Sequence, residues 1–155
     1  MNTDYKMILG DHVDFDFNQD EIKNINLLLR SLKDSLASNP SPDKTKSVEI
    51  FSTEVLVEFL VLSLSEFNQT PEFSNFTFQD ENFIRVFRDI LVEGAVLKAL
   101  TSQALIERGR EITLTDCGVS FVPPNISDML QAQYRDMVNI HFEKLKNIKM
   151  NISDF

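Results

Sequence analysis

Ile112-Thr113-Leu114-Thr115-Asp116-Cys117-Gly118-Val119-Ser120-Phe121-Val122-Pro123-Pro124 is the stretch on which the fold turns. Ile112 and Leu114 alternate with Thr113 and Thr115, and Val119 and Phe121 alternate with Ser120 and Val122. That is the two-residue period of half-buried strands. Asp116-Cys117-Gly118 supplies a three-residue turn, with Gly118 free to take a positive φ. Pro123-Pro124 ends the second arm, because proline brings no amide donor. The stretch therefore reads as a β-hairpin over 111–124.

On its C-terminal side a helix over 127–149 is expected. Ser127 caps it, and Asp128 in the first turn suits the positive end of the dipole. Leu130, Tyr134, Met137, Val138, His141, Leu145 and Ile148 form its apolar stripe at steps of three and four. Lys144, Lys146 and Lys149 gather at the negative end. Residues 150–155 read as a tail or docking peptide.

On the N-terminal side the chain is helical by pattern. Residues 1–17 end in an alternating run, His12-Val13-Asp14-Phe15-Asp16-Phe17, which reads as an edge strand or extended arm. Asn18 and Glu21 have the spacing of a capping box. Ile22, Ile25, Leu29, Leu32 and Leu36 continue as one helical face, and Asn39-Pro40-Ser41-Pro42 stops it. A polar loop to Ser47 follows. Ser52 or Thr53 then caps a helix with the stripe Val57, Leu60, Val61, Leu64 and Phe67. Pro71 and a Phe-rich connector over 72–78 lead to Asp80, the cap of a third helix from about Glu81 to Arg108. Gly94 and Ala95 lower its helix propensity but permit a neighbour's close approach. Gly109 sits where a left-handed C-terminal cap belongs. There is no internal repeat.

Composition narrows the class. A chain of 155 residues with 43% hydrophobic residues is long enough for one domain with a real core. A net charge of −9 argues against a surface that neutralises phosphates. Acidic residues interleave with Lys and Arg throughout, so DNA mimicry is a poor fit. A negative wall past which DNA slides without sticking is a weaker idea. Cys117 is the single cysteine, which excludes an internal disulfide. The N-terminus lacks a signal-peptide apolar run. The most apolar stretch, 90–106, is too short for a comfortable membrane span and contains Glu93, Lys98 and Gln103. These features predict an intracellular setting without a membrane.

No chemistry is spelled out. Asp14-Phe15-Asp16-Phe17-Asn18 opens like a calcium loop, but Gln19 occupies the turn glycine and Ile25 the bidentate glutamate. His12 and His141 are far apart and match no metal-ligand spacing. His141 lies on an apolar stripe, where a core or interface histidine is the ordinary explanation. Cys117 has no nearby base. Glu93, inside an apolar helix, is the one carboxylate placed for a raised pKa, though pairing with a Lys or Arg explains it better. Glycines at 10, 94, 109 and 118 make no phosphate loop. The sequons at Asn68, Asn75, Asn125 and Asn151 follow from an Asn-rich composition. Arg108 and Arg110 are too few for a basic patch. The reading is of a protein that is no enzyme and holds no metal or cofactor.

The segment 104–124, followed by Ile126-Ser127-Asp128-Met129-Leu130, Gln133-Tyr134 and Glu143-Lys144-Leu145-Lys146-Asn147-Ile148-Lys149, resembles virion proteins of tailed bacteriophages. These are small neck proteins of the crAss-like or related long-genome phages. The resemblance covers the C-terminal third to half of the chain and rests on packing and turn patterns. It implies a structural virion protein, a head-to-tail connector whose copies, on the order of a dozen, form a ring beneath the portal through heterologous contacts. Its partners would be its own copies, the portal protein and other neck and tail proteins. Genomic DNA would pass nearby without specific binding. The protein would be made in the host cytoplasm and end in the virion neck.

The expected architecture is thus one mainly α domain: about four helices, with a β-hairpin inserted before the last. Ile112, Leu114, Val119 and Phe121 of the hairpin, then Tyr134, His141 and Phe155, are the expected contact residues. Unpaired hairpin edges would let neighbouring copies add strands. Two rivals stand beside this reading: a small acidic protein that regulates a host or phage enzyme, and an enzyme with a site around Glu93.

Overall fold

Asn18 opens the first helix by a reciprocal pair of bonds: its backbone N–H donates to Glu21 Oε2, and Glu21 N–H donates to Asn18 Oδ1, both at 2.9 Å. This is the capping box that the spacing predicts, and it occupies two amide donors that the helix itself cannot. A computed structural model of the chain describes residues 16–37, 51–115 and 126–153. They form four helices: α1 (Gln19–Ala37), α2 (Thr53–Gln69), α3 (Glu81–Thr115) and α4 (Ile126–Ser153). Ser52 caps α2, accepting from Val55 N–H. Asp80 starts α3 through its carbonyl, which accepts from Ile84 N–H, while its carboxylate turns back to Thr77 N–H at 2.8 Å.

The core lies where α1, α2 and the first two-thirds of α3 meet. Ile25, Leu28 and Leu32 of α1, Val57 and Leu60 of α2, and Ile84, Leu91 and Ala95 of α3 are almost wholly buried. Each large aliphatic side chain among them contributes about 1.5–3 kcal/mol of burial. Leu145 of α4 joins the same core, with Ile148 and Ile152 packed against it.

The Phe-rich connector folds into this core and is organised by one amide. Asn68 Nδ2 donates to Phe76 O, while its Oδ1 accepts from Phe76 N–H and the Ser74 hydroxyl. Phe76 thereby stacks on Phe83 with centroids 4.1 Å apart, and Phe67 meets Phe76, Phe83 and Phe87 at 6.0, 5.1 and 5.5 Å. α3 bends at Phe87 (φ −105°, ψ 16°), beside this cluster.

The expected β-hairpin is corrected by the helical course of α3. Ile112, Thr113, Leu114 and Thr115, the first arm of the expected pair, are the last turn of α3, and no strand occurs among the described residues. Val119 and Phe121 of the second arm lie outside the described residues. Extending a formed helix adds one hydrogen bond per residue ordered, whereas a hairpin must be started afresh and is marginal without a surface to cover it. Gly109, expected as a C-terminal cap, lies inside the helix, at a cost of about 1 kcal/mol relative to alanine. At the other end, α4 continues through Met150 to Ser153.

Candidate functional site

Two places on α3 and α4 combine the expected contact residues with unusual surroundings. The first is the crossing of α2, α3 and α4 at Gly94. A Cβ on Gly94 would collide with the Ser63 hydroxyl and stand 3.4 Å from His141 Cε1, so the glycine is what lets three helices meet there. Ser63 donates to Leu91 O at 2.7 Å. His141 is 3% exposed, and its Nδ1 lies 3.5 Å from Glu93 Oε1 without forming a hydrogen bond. Glu93 instead takes a direct bond from Lys144 at 2.9 Å, and Lys98 pairs with Glu66 at 2.8 Å. Burial holds the His141 pKa below its ordinary value, against the pull of the Glu93 and Glu66 carboxylates. The imidazole is thus neutral near pH 7.

Serine, histidine and glutamate side by side are the residue types of a hydrolytic site, but their arrangement does not serve one. The Ser63 hydroxyl is committed to a carbonyl of the neighbouring helix, and Ser63 and His141 are both sealed from solvent. A nucleophile must present its oxygen to base and substrate together. Here the chemistry available is structural: a polar seam that fixes where α4 crosses α3.

The second place is a groove of about 350 Å³ farther along the same helix pair, its surface mainly apolar, lined by Thr101, Ala104, Leu105, Tyr134 and Val138 together with Gln131, Arg135 and Asn139. Leu105 is 63% exposed. Beyond Ala104 no described side chain of α3 is buried, and in α4 none is buried before His141. The two helices leave the shared core here and run on as an antiparallel arm. α3 continues from Ala104 to Thr115, about 16 Å at 1.5 Å per residue. Met129, at 72% exposure, lies on the same arm.

Of the expected contact residues, the structure brings Tyr134 to the groove and His141 to the three-helix crossing. Ile112 and Leu114 fall at the arm's end, while Val119, Phe121 and Phe155 lie outside the described residues. Lys149 was missed as a packing residue. It is 1% exposed, its ammonium lies 5.0 Å from the centroid of the Phe67 ring, and it donates to the Ser74 hydroxyl at 2.6 Å. Its place four residues after Leu145 and eight after His141, on the stripe itself, is the signal that finds it. A separate groove between α1 and α3 carries Lys23 and Arg85, but Glu81 bridges both, at 3.9 and 2.9 Å.

Among the described residues no group of three or more His, Cys, Asp or Glu side chains is placed to hold a metal, and no helix is long and apolar enough to cross a membrane. No family model matches the chain, and no curated protein or solved structure matches it either.

Proposed function

We propose that this chain is a non-catalytic assembly protein of a tailed-phage virion, a head-to-tail connector whose copies join into a ring and contact portal and tail proteins. The observation that carries this reading is the two-helix arm. Among the described residues no third layer covers the apolar side chains of this helix pair, and Leu105 and Met129 are well exposed on it. An apolar groove lined by Ala104, Leu105, Tyr134 and Val138 on such a pair is the kind of surface against which another protein can pack. The resemblance of segment 104–149 to neck proteins supports the more specific role, and it falls on the arm and on the helix that forms its second half. The sealing of Ser63 and His141 supports a role without catalysis. The acidic surface suits a lumen through which DNA passes, since like charges repel.

Mass spectrometry of purified particles with copy-number determination tests the role. A connector is present in a fixed multiple per particle. A small acidic regulator would be absent from particles and would co-purify with one soluble enzyme, and that result would overturn the connector reading.

A further inference from the structure

The groove between α1 and α3 holds about 330 Å³; its surface is mainly apolar, and Leu27 and Ile84 line it together with Lys23, Asn24, Glu81, Arg85 and Arg88. Three cations and one carboxylate stand around it, in a chain with 15 basic and 24 acidic residues. Glu81 is spread over two of the cations, 2.9 Å from Arg85 and 3.9 Å from Lys23. Arg88 Nε lies 3.7 Å from Asp89, whose carboxylate is almost fully exposed. Ion pairs this exposed contribute little and are readily exchanged for others. The groove therefore suits a segment that brings apolar side chains and carboxylates together.

The chain supplies such a segment at the edge of the groove. Residues 1–15 precede the described part and contain Asp4, Asp11 and Asp14 against Lys6, with Val13 and Phe15 on either side of Asp14. Phe17, just after them, meets Phe78 edge-on with ring centroids 6.1 Å apart. Phe78 O accepts at 2.6 Å from Nδ2 of Asn24, a residue of the groove. The segment thus departs beside the groove. From Asn18 to Leu27 is about 14 Å of helix at 1.5 Å per residue. Fifteen extended residues span about 50 Å, more than enough to turn back and lie along it.

We propose that the groove between α1 and α3 is the docking site of the chain's own N-terminal segment, with Asp11 and Asp14 paired to Lys23, Arg85 and Arg88 and with Val13 and Phe15 against its apolar surface. In an extended segment Val13 and Phe15 point to one side and Asp14 to the other. The long stems of lysine and arginine let cations at the edge fold over to a carboxylate that faces away from the groove. Tethering favours this occupant over a separate molecule, since a short linker holds it at an effective concentration on the order of millimolar. The contact is separate from the connector reading and stands or falls without it.

Charge reversal tests it in the full chain. The chain has no tryptophan, so Phe15→Trp introduces a single reporter. With the groove intact, its emission should be shifted to the blue and its quenching by acrylamide reduced severalfold. Lys23→Glu with Arg85→Glu and Arg88→Glu should return both to the values of an exposed indole. Those three side chains are exposed, so the helical circular dichroism should be unchanged. Adding Asp11→Lys and Asp14→Lys should restore the blue shift and the shielding, because the pairs are then reversed. The docked signal should not depend on protein concentration. An exposed indole with the groove intact, a shielded one that ignores the groove reversal, or no recovery in the combined variant would overturn the inference. A blue shift that grows with concentration would overturn it too, by placing the segment on another copy.

Discussion

Gly94 shows how one missing methyl group sets a helix crossing. Alanine there would gain up to about 1 kcal/mol in helix propensity, yet its Cβ would strike the Ser63 hydroxyl, and overpacking of this kind costs about 1–3 kcal/mol. Gly94→Ala should therefore lower the urea midpoint. The loss should shrink in a Ser63→Ala background, where the colliding oxygen is gone. Equal losses in both backgrounds would mean that the glycine matters for another reason. His141 beside it gives a pH signature. Its folded-state pKa is depressed by burial, although Glu93 and Glu66 pull it upward; Lys98 adds to the depression. The unfolded chain, with an imidazole pKa of about 6.5, then binds more protons below that pH than the folded chain does. This contribution to stability is complete above pH 6.5 and is lost as pH falls from there toward the folded-state value. Wild type should lose stability relative to His141→Gln between pH 7.5 and 5.5 (~1–2 pH units spanning the imidazole range); parallel profiles would refute it. Both residues were legible in the sequence, Gly94 as a site of close approach and His141 as a stripe residue. Their meeting was not, because Ser63 and His141 are far apart along the chain.

At the scale of elements, α4 is held to the body along its second half: by the seam at His141, by Leu145 in the shared core with Ile148 and Ile152 beside it, and by the aromatic cluster at Lys149. The ammonium of Lys149 is accommodated by the Phe67 ring and the Ser74 hydroxyl, but burial still lowers its pKa, against the raising effect of Glu72. The site thus tolerates the charge more than it requires it, and the side chain's volume matters more. Lys149→Met should fold with stability equal to or above the wild type by thermal unfolding. Lys149→Ala should fall about 2–5 kcal/mol below the methionine variant, because it leaves a cavity. An alanine variant as stable as the methionine variant would show that α4 can detach there without loss. α3 carries the other lesson at this scale. Its start at Glu81, directly after Asp80, could be read in advance. Its end could not, since Gly109 and the alternation of Ile112 to Thr115 are signals that fit a stop as well as they fit continuation.

The whole molecule combines a body that is closed around its own core with an arm that is not. Its net charge of −9 opposes association of copies at long range. Because salt screens such repulsion, with a Debye length falling from about 30 Å at 0.01 M to about 10 Å at 0.1 M, raising the salt concentration should strengthen self-association. Sedimentation at both ionic strengths checks this; association weakened by salt would mean that ion pairs, and not apolar contacts, join the copies. The four helices, the cap at Asn18 and the faces of α1 and α2 that enter the core were legible in the residues alone, because caps and periodicity act between residues a few positions apart. Long-range packing was needed to settle that the β-patterned stretch at Ile112 continues a helix, that Lys149 is a core residue, and that α3 and α4 outrun their neighbours. Those outcomes depend on which distant surface is present to pack against: Phe67 and Ser74 for the lysine, and neither α1 nor α2 for the arm.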